Sequence, residues 1–225
     1  MNWTDVLEFA RGPLFYACLL IFVAGMFYRL MRVLMLGWGK DRIKDRGSKA
    51  TGVVKTYLKA ILVWPFIPWV KRTFDRNPVI YLAGGLFHLS LFTVLILGTA
   101  HMLVWKSLLG FGWPTLPLPI VDWLAAVGIV AMIGLLIHRI VNPVMKLITG
   151  PAEWGNWAVV FLPMVTGYIM THHLFFRYEV LFSLHMLAVD LLLIWIPFSR
   201  IGHFMFYFFS RSIHGAEFGR RAVNP

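Results

Sequence analysis

A chain of 225 residues that is 59% hydrophobic and 14% charged, with a mean hydropathy of +0.73, has the composition of a polytopic membrane protein and no room for a separate soluble domain. Its formal charge of +11 does not indicate nucleic-acid binding, because the basic residues cluster between apolar runs, as the positive-inside rule requires, rather than forming a base-reading surface. The single cysteine, Cys18, lies inside an apolar run, which excludes an intrachain disulfide, a CxxCH motif for covalent c-type haem and a cysteine-held iron–sulfur cluster.

The first apolar run, residues 12–36, is long enough to span a bilayer. It follows Asp5, Glu8 and Arg11 rather than a basic signal flank, and so reads as a retained helix. Residues 29–76 carry twelve Lys or Arg against three Asp, with Lys40, Arg42, Lys44, Arg46 and Lys49 clustered, and predict a cytoplasmic loop over 37–77. Within that loop, 57–70 is a short apolar stretch interrupted by Pro65 and Pro68, which predicts an interfacial segment with Trp64 and Trp69 at headgroup level. A second span over 78–105, with Pro78 in its first turn, carries His88 and His101. A Gly/Pro/Trp-rich connection over 109–119 leads to a third span, 121–141, which ends at His138 and Arg139. The fourth span, 156–176, contains Pro163 and Gly167 and carries His172 and His173 near its end. The fifth, 180–209, carries His185 and His203 and runs into a short basic tail with Arg211, Arg220 and Arg221. The expected fold is all-α, a single membrane domain of five transmembrane helices. Eighteen of the 21 Lys and Arg fall in 29–76, 139–153 and 200–225, leaving Arg11, Lys106 and Arg177, so the N-terminus is expected outside and the C-terminus in the cytoplasm.

The histidines carry the chemistry. On one unbroken helix the eighteen residues from His185 to His203 make five whole turns, so both imidazoles share a stripe ~27 Å apart along the axis. Antiparallel packing of the second and fifth spans matches His88 with His203 nearer the cytoplasm and His101 with His185 nearer the outside. Two neutral imidazoles on opposite faces of a porphyrin saturate the iron and make it an electron carrier. The expected cofactors are therefore two non-covalent b-type haems. Taken singly, each histidine also reads as a hydrogen-bonded residue at a helix end. Arg200, one turn before His203, reads equally as a propionate partner and as an interfacial arginine. Asp190, inside the fifth span, is costly there unless it is protonated, bonded within the bundle or used as a proton relay. His138 and His214 read as interface and tail residues, and Lys106 as a cation near His101.

The segment LHMLAVDLLLIWIPFSRIGHF, Leu184 to Phe204, resembles the haem-bearing last helix of the respiratory nitrate reductase gamma subunit family, and GLFHLSLFTVLILGTA, Gly85 to Ala100, resembles its second helix. The pattern is shared with the membrane cytochrome b subunits of heterodisulfide reductase and of the transmembrane redox complexes of sulfate reducers. The most specific element is Pro197-Phe198-Ser199-Arg200 followed by His203. The resemblance implies a bacterial or archaeal inner-membrane protein that moves electrons across the bilayer. It implies a cytoplasmic iron–sulfur subunit as one partner, and a quinone such as menaquinone, or a periplasmic multihaem cytochrome c, at the outer end. The sequence departs from the family at one point: ten residues after His88 stands Gly98, and His101, thirteen after, is turned roughly 140° from His88 on an ideal helix. Rotation of the porphyrin, a bend at Gly98, recruitment of His172 or His173, and loss of the outer site all remain open. Two rivals use other features: an ion or proton channel or transporter running through Asp190, His138 and the broken fourth helix, and a non-redox membrane anchor.

Overall fold

The structure, a computed structural model, describes residues 2–36, 44–60 and 73–223. Lys40, Arg42 and the Pro65, Pro68, Trp64 and Trp69 portion of the expected interfacial segment lie outside the described residues. Every regular element among the described residues is helical. Four of the helices are long and apolar enough to cross a membrane: Trp3–Met35, Pro78–Leu97, Leu118–Val141 and Tyr178–Phe198. With these four helices the chain is a multi-pass membrane protein, all-helical over the described residues.

In chain order the helices are α1 (Trp3–Phe9), α2 (Phe15–Met35), α3 (Lys49–Leu58), α4 (Thr73–Arg76), α5 (Pro78–Leu97), α6 (Thr99–Leu109), α7 (Leu118–Val141), α8 (Pro143–Ile148), α9 (Pro151–Thr171), α10 (Tyr178–Trp195) and α11 (His203–Arg220). They fall into two compact units, Met1–Leu19 with Asn77–Trp195, and Leu20–Arg76 with Ile196–Pro225.

In the first unit α5 packs on α7, α7 on α9, α9 on α10, and α1 on α10. Local chemistry sets the helix ends. Asn77 Oδ1 accepts from Ile80 N at 3.1 Å, with Pro78 in the first turn where its missing N–H costs nothing. Asn142 caps α8 by accepting from Val144 N and Met145 N. Gly110 closes α6 with φ +81, a left-handed conformation that glycine adopts without strain. Ser90, fully buried, donates to Leu124 O at 2.6 Å and fastens α5 to α7.

The first apolar helix begins earlier than 12–36, at Trp3, and passes through a π-helical turn, Ala10–Leu14, with a kink at Gly12 just before Pro13. Pro13 has no N–H to give the preceding turn, which accounts for the wider winding. The second span is not one helix over 78–105: Gly98 is extended (φ −74, ψ 131) and separates α5 from α6. Its neighbourhood is tied down by indole donors, Trp105 Nε1 to Leu95 O at 3.0 Å and Trp113 Nε1 to Ile96 O at 2.7 Å. These bonds satisfy carbonyls that the break strips of their helical partners.

The fifth span is broken as well. After Trp195 the chain makes a 3-10 turn at Ile196–Phe198, is extended at Ser199, makes a second 3-10 turn at Arg200–Gly202 and restarts as α11 at His203. The five-turn stripe expected for His185 and His203 needs a continuous helix and is therefore not formed. Pro197, which cannot donate into a helix, supplies the reason.

In the second unit, the stretch read as a basic tail is the helix α11, which packs antiparallel on α3. The contact runs through glycines: a Cβ on Gly52 would stand 2.1 Å from Gly215 O, and one on Gly219 would stand 2.3 Å from Ser48 O. The two backbones approach too closely for any side chain there, as in small-residue helix pairs. Arg220, 6% exposed, pairs with Glu217 on its own helix, and its carbonyl closes the far end by accepting from Arg46 N at 2.7 Å. Tyr57 closes the near end by donating to Phe208 O at 2.7 Å.

Candidate functional site

His101 and His185 come together in the first unit. Their ring centres are 6.3 Å apart and their planes are inclined at 70°. The break at Gly98 removes the ideal-helix objection to His101, because the register counted from His88 does not survive an extended residue. At Gly98 a Cβ would lie 2.5 Å from Val94 O and 3.5 Å from His101 Nδ1, so the missing side chain is the room in which ring and carbonyl meet.

His185, 9% exposed, is held more tightly. Its Nδ1 is 3.2 Å from Thr166 Oγ1, and Thr166 Oγ1 donates its one proton to Leu162 O at 2.7 Å. A hydroxyl whose proton is committed to a carbonyl accepts from the ring, so the imidazole hydrogen is on Nδ1 and the lone pair on Nε2. Gly167 lies beside the same ring, where a Cβ would come within 3.0 Å of His185 Cε1.

Two further expected ligands have the same polarity. His88 Nδ1 is 2.7 Å from Gly84 O, and His203 Nδ1 is 3.1 Å from Arg200 O. A carbonyl oxygen only accepts, so each ring donates through Nδ1 and carries its lone pair on Nε2. By contrast His138 meets Asn77 Nδ2 through Nε2 at 3.4 Å, and His172 faces Asp122 through Nε2 at 4.0 Å. His173 is at φ 52 with its ring against Tyr178. Of the candidates for the outer position, His101 is the one whose ring meets His185.

His88 belongs to the first unit and His203 to the second. Around His203 the broken backbone is held by Arg29, which the sequence reading passed over. Arg29 Nη1 donates to Ser199 O at 2.7 Å and Pro197 O at 3.2 Å, and its guanidinium lies 5.0 Å from the Phe206 ring centre. One helical turn before it, Gly25 leaves space for the Pro197 ring, which a Cβ would meet at 2.6 Å. The signal is the first arginine inside a long apolar run, four residues after a glycine. Arg200, which supplies the carbonyl to His203, is exposed.

The donor set at His101 and His185 fits a haem iron. Two imidazole nitrogens each ~2.0 Å from one metal ion put the ring centres ~6 Å apart. Among the described residues no group of three or more His, Cys, Asp or Glu comes together as a metal site. A porphyrin needs only two protein ligands, since it supplies the other four, and ligating histidines typically donate their second ring nitrogen, as His185 does.

Near His101, a shallow cleft is lined by Met102, Lys106, Gly112, Trp113 and Pro114. Asp190 is 2% exposed, and neither carboxylate oxygen has a hydrogen-bond partner among the described residues.

No family model matches the chain. No solved structure matches it either. It is similar to a protein of Nitratidesulfovibrio vulgaris (strain Hildenborough) whose name is simply "Protein", with 26% identity over 211 residues, 93% of this chain and 92% of that relative.

Proposed function

We propose that the chain is a dihaem cytochrome b subunit of a membrane redox complex, of the kind found with respiratory nitrate reductase and heterodisulfide reductase. The observation that carries the proposal is the 6.3 Å spacing of the His101 and His185 rings, with the His185 hydrogen committed to Thr166. When bound, a bis-imidazole haem accepts and donates one electron at a time. The residues of this chain would do the rest: His101 and His185 would hold the outer iron, His185 through Nε2, and the apolar helix surfaces would keep water from it. The second haem is proposed on His88 and His203 from the order of the histidines along the sequence. Arg200 is proposed as a propionate partner there.

The proposed topology counts α9, a 21-residue helix, as a fifth span in addition to the four most apolar ones. With eighteen of the 21 Lys and Arg in three of the connecting or terminal segments, the N-terminus is outside and the C-terminus cytoplasmic. The basic cytoplasmic face suits an iron–sulfur partner subunit. The cleft at Lys106 suits menaquinone or the approach of a periplasmic multihaem cytochrome c. The membrane is then the inner membrane of a bacterium or archaeon.

Reduced-minus-oxidised spectra and iron analysis of the purified chain test the function. A b-type α band with two haems per chain is expected, and its absence overturns the reading. The buried carboxyl of Asp190 favours a second reading, an ion or proton path. A chain without b-type haem that admits protons into vesicles, and stops doing so as Asp190→Asn, would establish that reading instead.

Topology is tested separately by thiol labelling. Lys44→Cys in intact cells is expected to resist a membrane-impermeant reagent, and Phe111→Cys to react, both positions being exposed. Native Cys18, 1% exposed, stays silent in both. The reverse pattern inverts the proposed orientation.

A further inference from the structure

We infer that Thr166 is the positioning residue of the outer centre, its hydroxyl fixing the orientation and tautomer of His185 and through them the reduction potential of a haem bound there. The inference rests on the cytochrome reading and extends it to a residue outside the ligand set. Two observations and a general property of hydrogen bonds converge on it. Thr166 Oγ1 gives its proton to Leu162 O at 2.7 Å and has a further contact with Pro163 O at 3.4 Å, so towards His185 Nδ1, 3.2 Å away, it acts as acceptor. The next residue, Gly167, is the place where any Cβ would press on the same ring, 3.0 Å from Cε1 and 3.2 Å from Nδ1. The ring is therefore held by a hydroxyl at one atom and admitted by a missing side chain along one edge. Finally, the acceptor reached by Nδ1 is a hydroxyl already polarised by its own donation, and chained hydrogen bonds of this kind strengthen one another.

The chemical consequence has a definite sign. An imidazole whose Nδ1–H donates is a more basic ligand at Nε2 and stabilises the ferric ion over the ferrous one. Removing the hydroxyl, with the Pro163 backbone left as the ring's other partner, makes His185 a weaker donor to iron and favours reduction. Thr166→Val keeps the side-chain shape and deletes the hydroxyl, whereas Thr166→Ser keeps the hydroxyl.

The experiment is a potentiometric titration of both variants and of the unmodified protein, all as the full chain in detergent or in its complex. The outer haem is identified as the one lost in His101→Ala. In Thr166→Val we expect that haem to be retained, with its reduced-to-oxidised ratio at fixed potential raised about tenfold, about 59 mV for a one-electron couple. Thr166→Ser is expected to restore the original value, and the other haem to be unmoved in both. Loss of the outer haem in Thr166→Val with retention in Thr166→Ser also supports the role, since the hydroxyl is then required for ligation. An unchanged outer potential in Thr166→Val, loss of the haem in both variants, or a shift in the other haem overturns the inference. An unmodified protein without any b-type spectrum overturns the cytochrome reading itself, a result distinct from two haems with unmoved potentials.

Discussion

His101→Ala and His185→Ala are each expected to remove the same haem, lowering the haem-to-protein ratio by about half and abolishing electron exchange at the outer end. The expectation follows from the two rings meeting at 6.3 Å, because a centre with one protein ligand on each side of the porphyrin is not held by either alone. The two variants should leave the same single midpoint potential. The double variant should be no worse than either single one, since the ligands act as one unit. His172→Ala, whose imidazole faces Asp122, and His173→Ala are expected to keep both haems. Haem extraction with iron analysis, followed by redox titration, decides the matter. An outer haem that survives His101→Ala and disappears with a fourth-span histidine would move the ligand there.

The second large effect is expected at the other pair. His88→Ala and His203→Ala should each remove the haem that persists in His101→Ala, leaving the outer centre at its original potential but ending electron transfer across the bilayer. The pairing is argued from the order of the histidines in antiparallel spans. In each ring, Nδ1 donates to a carbonyl, Gly84 O for His88 and Arg200 O for His203, which puts the lone pair on Nε2, the nitrogen that the proposed ligation would use. The measurement is the potential of the remaining haem, compared across the four histidine variants. Two groups of two identical values are expected; two haems at unchanged potentials in either His88→Ala or His203→Ala would dissolve the pair.

Several features were legible in the sequence because they depend on composition and local chemistry alone. Long apolar runs identify membrane helices by the cost of placing unpaired polar groups in hydrocarbon, and these runs became Trp3–Met35, Pro78–Leu97, Leu118–Val141 and Tyr178–Phe198. Asn77-Pro78 announces a helix start through a capping amide and a proline that needs no hydrogen bond, and it starts α5. His101 and His185 stood out as paired candidates by type and depth, and their rings meet in the fold.

What the sequence could not decide was where the helical register breaks. Counting turns from His88 to His101, or from His185 to His203, assumes one helix, and the assumption fails at the extended Gly98 and at the 196–202 turns. A glycine or proline in an apolar run is compatible with a continuing membrane helix. It becomes a break only where other groups take over the freed carbonyls, as Trp105 and Trp113 do after Leu95 and Ile96, and as Arg29 does at Pro197 and Ser199. The same holds for Thr166 and for the glycine contact of α3 with α11, which pair residues 19 or more than 150 positions apart. Such pairings are properties of packed surfaces. The tertiary structure decides them because a hydrogen bond or a close backbone approach depends on a few tenths of an ångström between elements, which no pattern within one element encodes.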